Sequence, residues 1–212
     1  MTLFNIVLKS AWHRRTSLLL TICSIAISVC LLFGVDKLRK ETKSSFINTI
    51  SQTDLIVGAR SGPINLLLYS VFRIGNATNN VSWDSYEHIT DLSEVAWSIP
   101  ISLGDSHRGY RVMGTDAGYF QHYKYGRGQP LEFDKGQPFA DIYDAVVGAD
   151  VARSLNYKLS DEIIISHGLA STKFSDHENK PFTIVVIVER TGTPVDRTVH
   201  IPLEGIEAVH VD

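Results

Sequence analysis

Ser17 to Val35 read SLLLTICSIAISVCLLFGV, nineteen residues without a charged side chain. As a helix rising 1.5 Å per residue this run spans roughly 28 Å, close to the hydrocarbon thickness of a bilayer. A helix in the core of a soluble domain rarely runs so long without a polar face. A membrane-spanning helix is therefore expected over 17–35, with residues 1–16 before it and a folded domain, 36–212, after it.

On its N-terminal side the run is preceded by Lys9, Arg14 and Arg15, which would also suit a secretory signal peptide. Against that, the apolar run exceeds the usual core of a signal, and Asp36-Lys37-Leu38-Arg39-Lys40 follows it directly with no small-x-small cleavage pattern. A lipid-attachment site is equally poor, because Ile22 precedes Cys23 and Val29 precedes Cys30 where a small residue would be needed. The span reads as an uncleaved anchor. These two cysteines are the only ones in the chain, so no disulfide forms within residues 36–212.

Charges lie on both sides of the span and give little orientation: Lys37, Arg39, Lys40 and Lys43 follow it. Residues 2–13 add a hint. Leu3, Val7 and Ala11 form one helical stripe with Phe4, Leu8 and Trp12 beside it, and Lys9, His13 and Arg14 sit opposite. This pattern suits a short helix lying on an anionic cytoplasmic leaflet, which places the N-terminus inside.

Beyond the span, a helix is expected to continue from Lys37 to Gln52, with Leu38, Phe46 and Ile50 as its apolar side. Asp54–Gly58 (DLIVG) predicts a short buried strand, and Ile64–Ile74 (INLLLYSVFRI) a buried helix stopped by Gly75. Ser82 is placed to cap a helix holding Trp83, Tyr86, Ile89 and Leu92. Val95–Gly104 and Gly109–Gly114 predict two strands joined around Asp105–Arg108. Ala117–Tyr125 predicts a short helix, and Leu131–Phe133 a short strand in a Gly- and Pro-rich loop. Ala145–Val147, Glu162–Ser166, Phe182–Val188, Thr198–Leu203 and Ile206–Val211 predict strands; Ala149–Leu155 predicts a helix, and 167–181 an exposed polar insertion. Short helices among short strands without regular βαβ spacing indicate an α+β domain.

Catalytic chemistry is hard to locate. No phosphate-binding GxxxxGK[ST] loop, HExxH, CxxC or GxSxG occurs. The eight histidines (His13, His88, His107, His122, His167, His177, His200 and His210) match no metal-ligand spacing. His167 and His177 with Asp176 and Glu178 could make a loose, exposed cation site; scattered surface histidines are the plainer reading. Asp105, Ser106 and His107 fall in one expected turn, which is not a triad. Arg60 and Arg73, beside apolar helices, could take an anion, or pair with Asp54 or another carboxylate. The residues point to no catalytic, cofactor or metal site and to no enzyme. A net charge of −3 with no basic stripe excludes nucleic-acid binding.

Six stretches together carry a family resemblance: W-x-R-R (Trp12–Arg15), DLIVGARSG (54–62), LLLYSVFRIGNATNN (66–80), IPISLGDSHRGYRVMGT (99–115), VVGADVARSLNYKLSDEI (146–163) and TGTPVDRTVHIPLEGIEAVHV (191–211). The chain resembles the N-terminal part of an ABC transporter permease of the FtsX/MacB type. One departure is Ser160, where the family's turn usually has Gly before Asp161. The resemblance implies a first membrane helix carrying a MacB-like periplasmic core domain in the bacterial inner membrane, and three more membrane helices beyond Asp212. It implies as partners a separate ABC ATPase, a second permease in a homodimer or heterodimer, and a periplasmic partner protein or substrate. The alternative is a single-pass periplasmic adaptor or sensor without transport activity.

Overall fold

The computed structural model describes residues 12–49, 52–76, 79–133, 136–167 and 180–210. The chain divides into two compact units, Met1–Phe46 and Ile47–Asp212. In the first unit lies most of helix α1 (Arg15–Thr49), within which Arg15–Glu41 is long and apolar enough to cross a membrane. No part of that stretch is buried against protein. On its polar extension, Asp36 pairs with Lys40 at 2.7 Å and Lys37 with Glu41 at 3.8 Å, the one-turn spacing that supports an exposed helix. Residues 2–11 of the expected interfacial helix, and Ile50 and the side chain of Phe46 on the apolar side expected after the span, lie outside what is described.

In the second unit, two short helices come first: α2 (Pro63–Ser70) and α3 (Trp83–Thr90). Then follow β1 (Ser102–His107), β2 (Tyr110–Thr115), α4 (Gly118–His122), β3 (Lys124–Tyr125), β4 (Gln129–Pro130) and β5 (Asp144–Val147). Helix α5 (Ala149–Leu155), β6 (Glu162–Ile163), β7 (Ser166–His167), β8 (Phe182–Ile187), β9 (Thr198–Pro202) and α6 (Leu203–His210) complete it. Seven strands form one mixed sheet in the order β6-β8-β5-β9-β2-β1-β7, with β5–β8 and β2–β9 parallel and the other pairs antiparallel. This is the expected α+β class.

The sheet is buried on both faces. One face carries Val112, Ala145, Val147, Phe182, Ile184, Val199 and Ile201 and is joined by Val151 of α5 and Val209 of α6. Leu103, Met113, Val146, Val186 and Val188 lie in the opposite layer with Tyr119 and Phe120 of α4. Along β9 the alternation is strict, so His200, between Val199 and Ile201, points into the α4 layer and meets Tyr119 and Phe120. Along β8 the even-numbered residues change layer between Ile184 and Val186, where the pairing with β5 slips at Ala145/Val146.

Four expectations are overturned. Asp54–Gly58 is not a strand and not buried: it pairs with no described strand, and Leu55 is 77% exposed. The helix read over 64–74 ends at Ser70 and buries none of its own residues; Ile64 is 72% exposed. It stops because Arg73 takes a left-handed backbone, φ +59°, before Gly75 does so. Asp105, Ser106 and His107 are not in a turn but complete β1, all buried. The turn is Arg108-Gly109, with φ +47° and +84°, the two positive angles that a two-residue hairpin matching strand twist requires. Finally, within the expected strand 206–211 the described residues 206–210 are not a strand. Ile206 and Val209 are three apart with Glu204, Glu207 and His210 turned outward, a helical period that α6 uses to cover β2 and β9.

Other boundaries shift: the strand read over 95–104 begins only at Ser102, the helix read over 117–125 covers Gly118–His122, 131–133 keeps only an isolated bridge at Phe133, and 162–166 is broken into β6 and β7, while two readings hold. Ser82 Oγ accepts the Ser85 backbone N–H at 3.3 Å as a helix cap, and α5 covers Ala149–Leu155 as read. The polar insertion expected over 167–181 falls, from 168 to 179, outside the described residues.

Candidate functional site

The residues singled out in the sequence do not assemble into reaction machinery. Ring nitrogens of His107 reach the Ile164 carbonyl (2.5 Å) and the Tyr157 hydroxyl (2.7 Å), which ties β1 to the chain before β7. Asp105 lies 3.8 Å from His210 of α6. Both contacts join elements of the fold, and Ser106 stands between two side chains turned elsewhere along the strand. Arg60 is exposed. Of the proposed cation site, His177, Asp176 and Glu178 lie outside the described residues, and among those described no group of His, Cys, Asp or Glu could hold a metal ion.

Two features stand out instead. The first is the outer face of α1. Ile22, Ile25, Ala26, Val29, Cys30 and Phe33 line a shallow groove along one helical stripe. Around the rest of the helix Leu19, Leu20, Leu31 and Leu32 are also exposed. An apolar surface all round a helix has no place in water.

The second is a polar cluster beneath the end of α2. Tyr119 on α4 and His200 on β9 are among the most buried side chains, 1% and 0% exposed. Their rings lie 5.3 Å apart, and Tyr123 stacks on Tyr119 at 4.9 Å. His200 Nδ1–H donates to the Val146 carbonyl at 3.3 Å, since a carbonyl only accepts. Burial pushes the His200 imidazole down to about 3, and the positive charge of Arg73 pushes the same way. The ring is therefore neutral at pH 7, with a bare lone pair on Nε2. Burial likewise raises Tyr119 far above the usual phenol range, which keeps its hydroxyl protonated. Arg73, which the sequence offered as an anion ligand, is half-buried here; the carboxylate expected as its alternative partner is not found among the described residues.

Beside this cluster, Asp196 anchors the turn at 191–197. Its carboxylate accepts from Thr191 N–H (2.8 Å), Thr191 Oγ1–H (2.8 Å) and Gly192 N–H (2.7 Å). Tyr123 Oη donates to the Thr49 carbonyl at 2.8 Å. Arg111 of β2 reaches the Gly75 carbonyl and Asn76 Oδ1, holding the loop after Arg73 to the sheet. Sequence reasoning missed Tyr119 and His200 because each sits in a run that reads as plain core. The one available signal is a histidine inside the β-branched run Thr198–Ile201.

No protein of curated function matches the chain. Among solved structures it is similar to the extracellular domain of the noncanonic ABC-type transporter YknZ from Gram-positive bacteria, at 10% identity and a TM-score of 0.40, covering 60% of this chain and 65% of that one. It is also similar to the periplasmic region of MacB from Actinobacillus actinomycetemcomitans, at 12% identity and a TM-score of 0.40, covering 66% of this chain and 61% of the other. The chain thus spans less than two thirds of either. Residues 18–211 match the family described as MacB-like periplasmic core domain. With nearly the whole chain inside that match, this protein belongs to the MacB-like periplasmic core domain family of FtsX/MacB-type ABC transporter permeases.

Proposed function

We propose that the chain is part of the membrane subunit of an ABC transporter, held in the bacterial inner membrane by α1. In this reading residues 1–16 are cytoplasmic, 17–35 span the bilayer and 36–212 lie in the periplasm. There the folded domain engages a substrate or partner protein, while a separate ATPase supplies the energy to a permease dimer. The observation that carries the reading is the family match, which begins at Leu18, inside the apolar helix, and runs on to Val211. Anchor and domain thus belong to one family unit. Energetics support the placement of α1: each exposed Leu, Ile or Phe transferred from water contributes about 1.5–3 kcal/mol, and α1 exposes many.

The apolar surface of the second unit also suits a partner-engaging role. Leu55, Ile64, Ile74, Trp83 and Leu92, all before β1, are exposed. Large apolar exposure of this kind marks interaction surfaces.

Co-purification tests the function. The chain, extracted from membranes in mild detergent, should bring an ABC ATPase with it, and the ATPase rate should differ with and without the membrane subunit. A membrane-bound chain that recovers no ATPase would overturn the reading and leave the single-pass adaptor in its place.

A further inference from the structure

Helix α3 turns one side to the fold and leaves the other open. Tyr86, Ile89 and Thr90 are half-buried, while Trp83, Asp84, Ser85, Glu87 and His88 are exposed. At helical spacing Asp84, Glu87, His88 and Asp91 fall along the outward side. Trp83 flanks that row at 56% exposure; its Nε1–H donates to Glu87 Oε1 at 2.7 Å and its ring lies 4.9 Å from Tyr86. Just past the helix, Leu92 is 47% exposed. The Tyr86 and Ser98 hydroxyls share a hydrogen bond of 2.9 Å, and the Val95 N–H donates to the Leu92 carbonyl at 3.0 Å, so the returning segment holds α3 in place.

The charge of this face is of one sign. Between Arg73 and Arg108 the sequence holds no Lys or Arg, whereas Asp84, Glu87, Asp91 and Glu94 all fall there and are all exposed. None of the four forms an ion pair with a described Lys or Arg, although Asp150 pairs with Arg153 and Asp36 with Lys40. Like charges one helical turn apart repel. Beside them, exposed Trp83 and Leu92 are the kind of apolar surface that marks a contact with another molecule. The charge selects which molecule. A second copy of the same face would set acids against acids, and an anionic lipid surface would be repelled in the same way. Asp84 and Asp91 lie about 10 Å apart along the helix, too spread to converge on one ion, and among the described residues no group of His, Cys, Asp or Glu could hold a metal. A row of cations with apolar neighbours is the complement.

We propose that the outward face of α3 docks a basic amphipathic segment of a partner polypeptide. Lys or Arg side chains of that segment pair with Asp84, Glu87 and Asp91, and its apolar side chains cover Trp83 and Leu92. The proposal rests on the partner-engaging reading of the domain and names the chemistry of the partner. Peptide docking needs no ATPase, so its failure and a failure to recover an ATPase are separate results.

The test is fluorescence anisotropy of labelled amphipathic peptides titrated with the full chain in non-ionic detergent, with empty micelles as the blank. Three peptides share one leucine pattern and carry Lys, Gln or Glu on the polar side. Saturable binding is expected for the Lys peptide alone, weakening as salt is raised. Replacing Asp84→Asn, Glu87→Gln and Asp91→Asn together should weaken it on the order of tenfold, and Trp83→Ala by roughly fivefold. Glu132→Gln, Glu162→Gln and Glu189→Gln, exposed acids elsewhere on the unit, remove the same charge and should leave the affinity within about twofold. Equal binding of the three peptides, no binding of the Lys peptide, or equal losses in the two triple variants overturns the proposal. So does quenching of Trp83 by brominated lipid in nanodiscs, read as the difference from Trp83→Phe, because it would seat the face on the bilayer.

Discussion

Acidification should unfold the second unit through His200. Its pKa is about 3 when folded against 6.5 for the free side chain. Between those values the unfolded chain binds one more proton than the folded chain, so the contribution is whole above about pH 6.5 and is lost as the pH falls toward about 3. From pH 7 to pH 5 the loss comes to about 2 kcal/mol. For a folded unit of this size that lowers the melting temperature by roughly 4–8 °C. Asp116, whose carboxyl is raised by burial, acts in the opposite direction. The assay is thermal unfolding in micelles followed by the fluorescence of Trp83 and Trp97, in half-unit steps from pH 7.5 to 5. His200→Asn serves as comparison, because its amide N–H can still donate to the Val146 carbonyl and its side chain does not titrate. That variant should be less stable at pH 7 yet much flatter across the range. A wild-type curve without slope, or parallel curves for the two proteins, would refute the reasoning.

Gly148 joins β5 to α5 so closely that an added Cβ would lie 2.1 Å from the Val195 carbonyl oxygen and 2.5 Å from Asp196 backbone atoms. Gly148→Ala should cost about 3 kcal/mol by denaturant titration, whereas Gly104→Ala, with nothing within 4 Å, should change stability by less than about 0.5 kcal/mol. Ser160 holds φ +71° in the turn before β6; Ser160→Gly should relieve that conformation and raise stability by about 0.5–1 kcal/mol, read as a small rise in melting temperature. Asp196→Ala strips acceptors from three donors of the 191–197 turn and should cost about 3 kcal/mol in the same melt.

Much of the fold was legible wherever apolar spacing and local chemistry agreed. The uncharged run at 17–35, the cap at Ser82, the helix at 149–155 and the β-branched run at 182–188 all carry their own signal: the first lies within helix α1, the cap and the 149–155 helix are found as read, and the last is a strand over Phe182–Ile187. Failures came where tertiary context decided. DLIVG at 54–58 has strand composition yet joins none of the described strands. The end of α2 is set by a left-handed arginine, which composition does not announce. IEAVH at 206–210 is short enough for either period, and the gap above β2 and β9 made it a helix. At Ser160 the missing glycine cast doubt on a turn that nevertheless forms, with Lys158 N–H donating to Asp161 Oδ2 at 2.7 Å. The polar cluster was the least legible. Arg73, Tyr119 and His200 are far apart in sequence, and only the crossing of β9 behind α4 brings the last two together.

Sidedness of the folded domain bears most directly on the account. The only native cysteines, Cys23 and Cys30, lie within the apolar helix. A chain with both replaced by Ala and with exposed Glu94→Cys therefore carries one reporter thiol on the second unit. A membrane-impermeant maleimide should label it fully in cells whose outer membrane alone has been permeabilised, with no further gain on lysis. Labelling that appears only after the inner membrane is broken would place the domain in the cytoplasm and contradict the assignment of residues 36–212 to the periplasm.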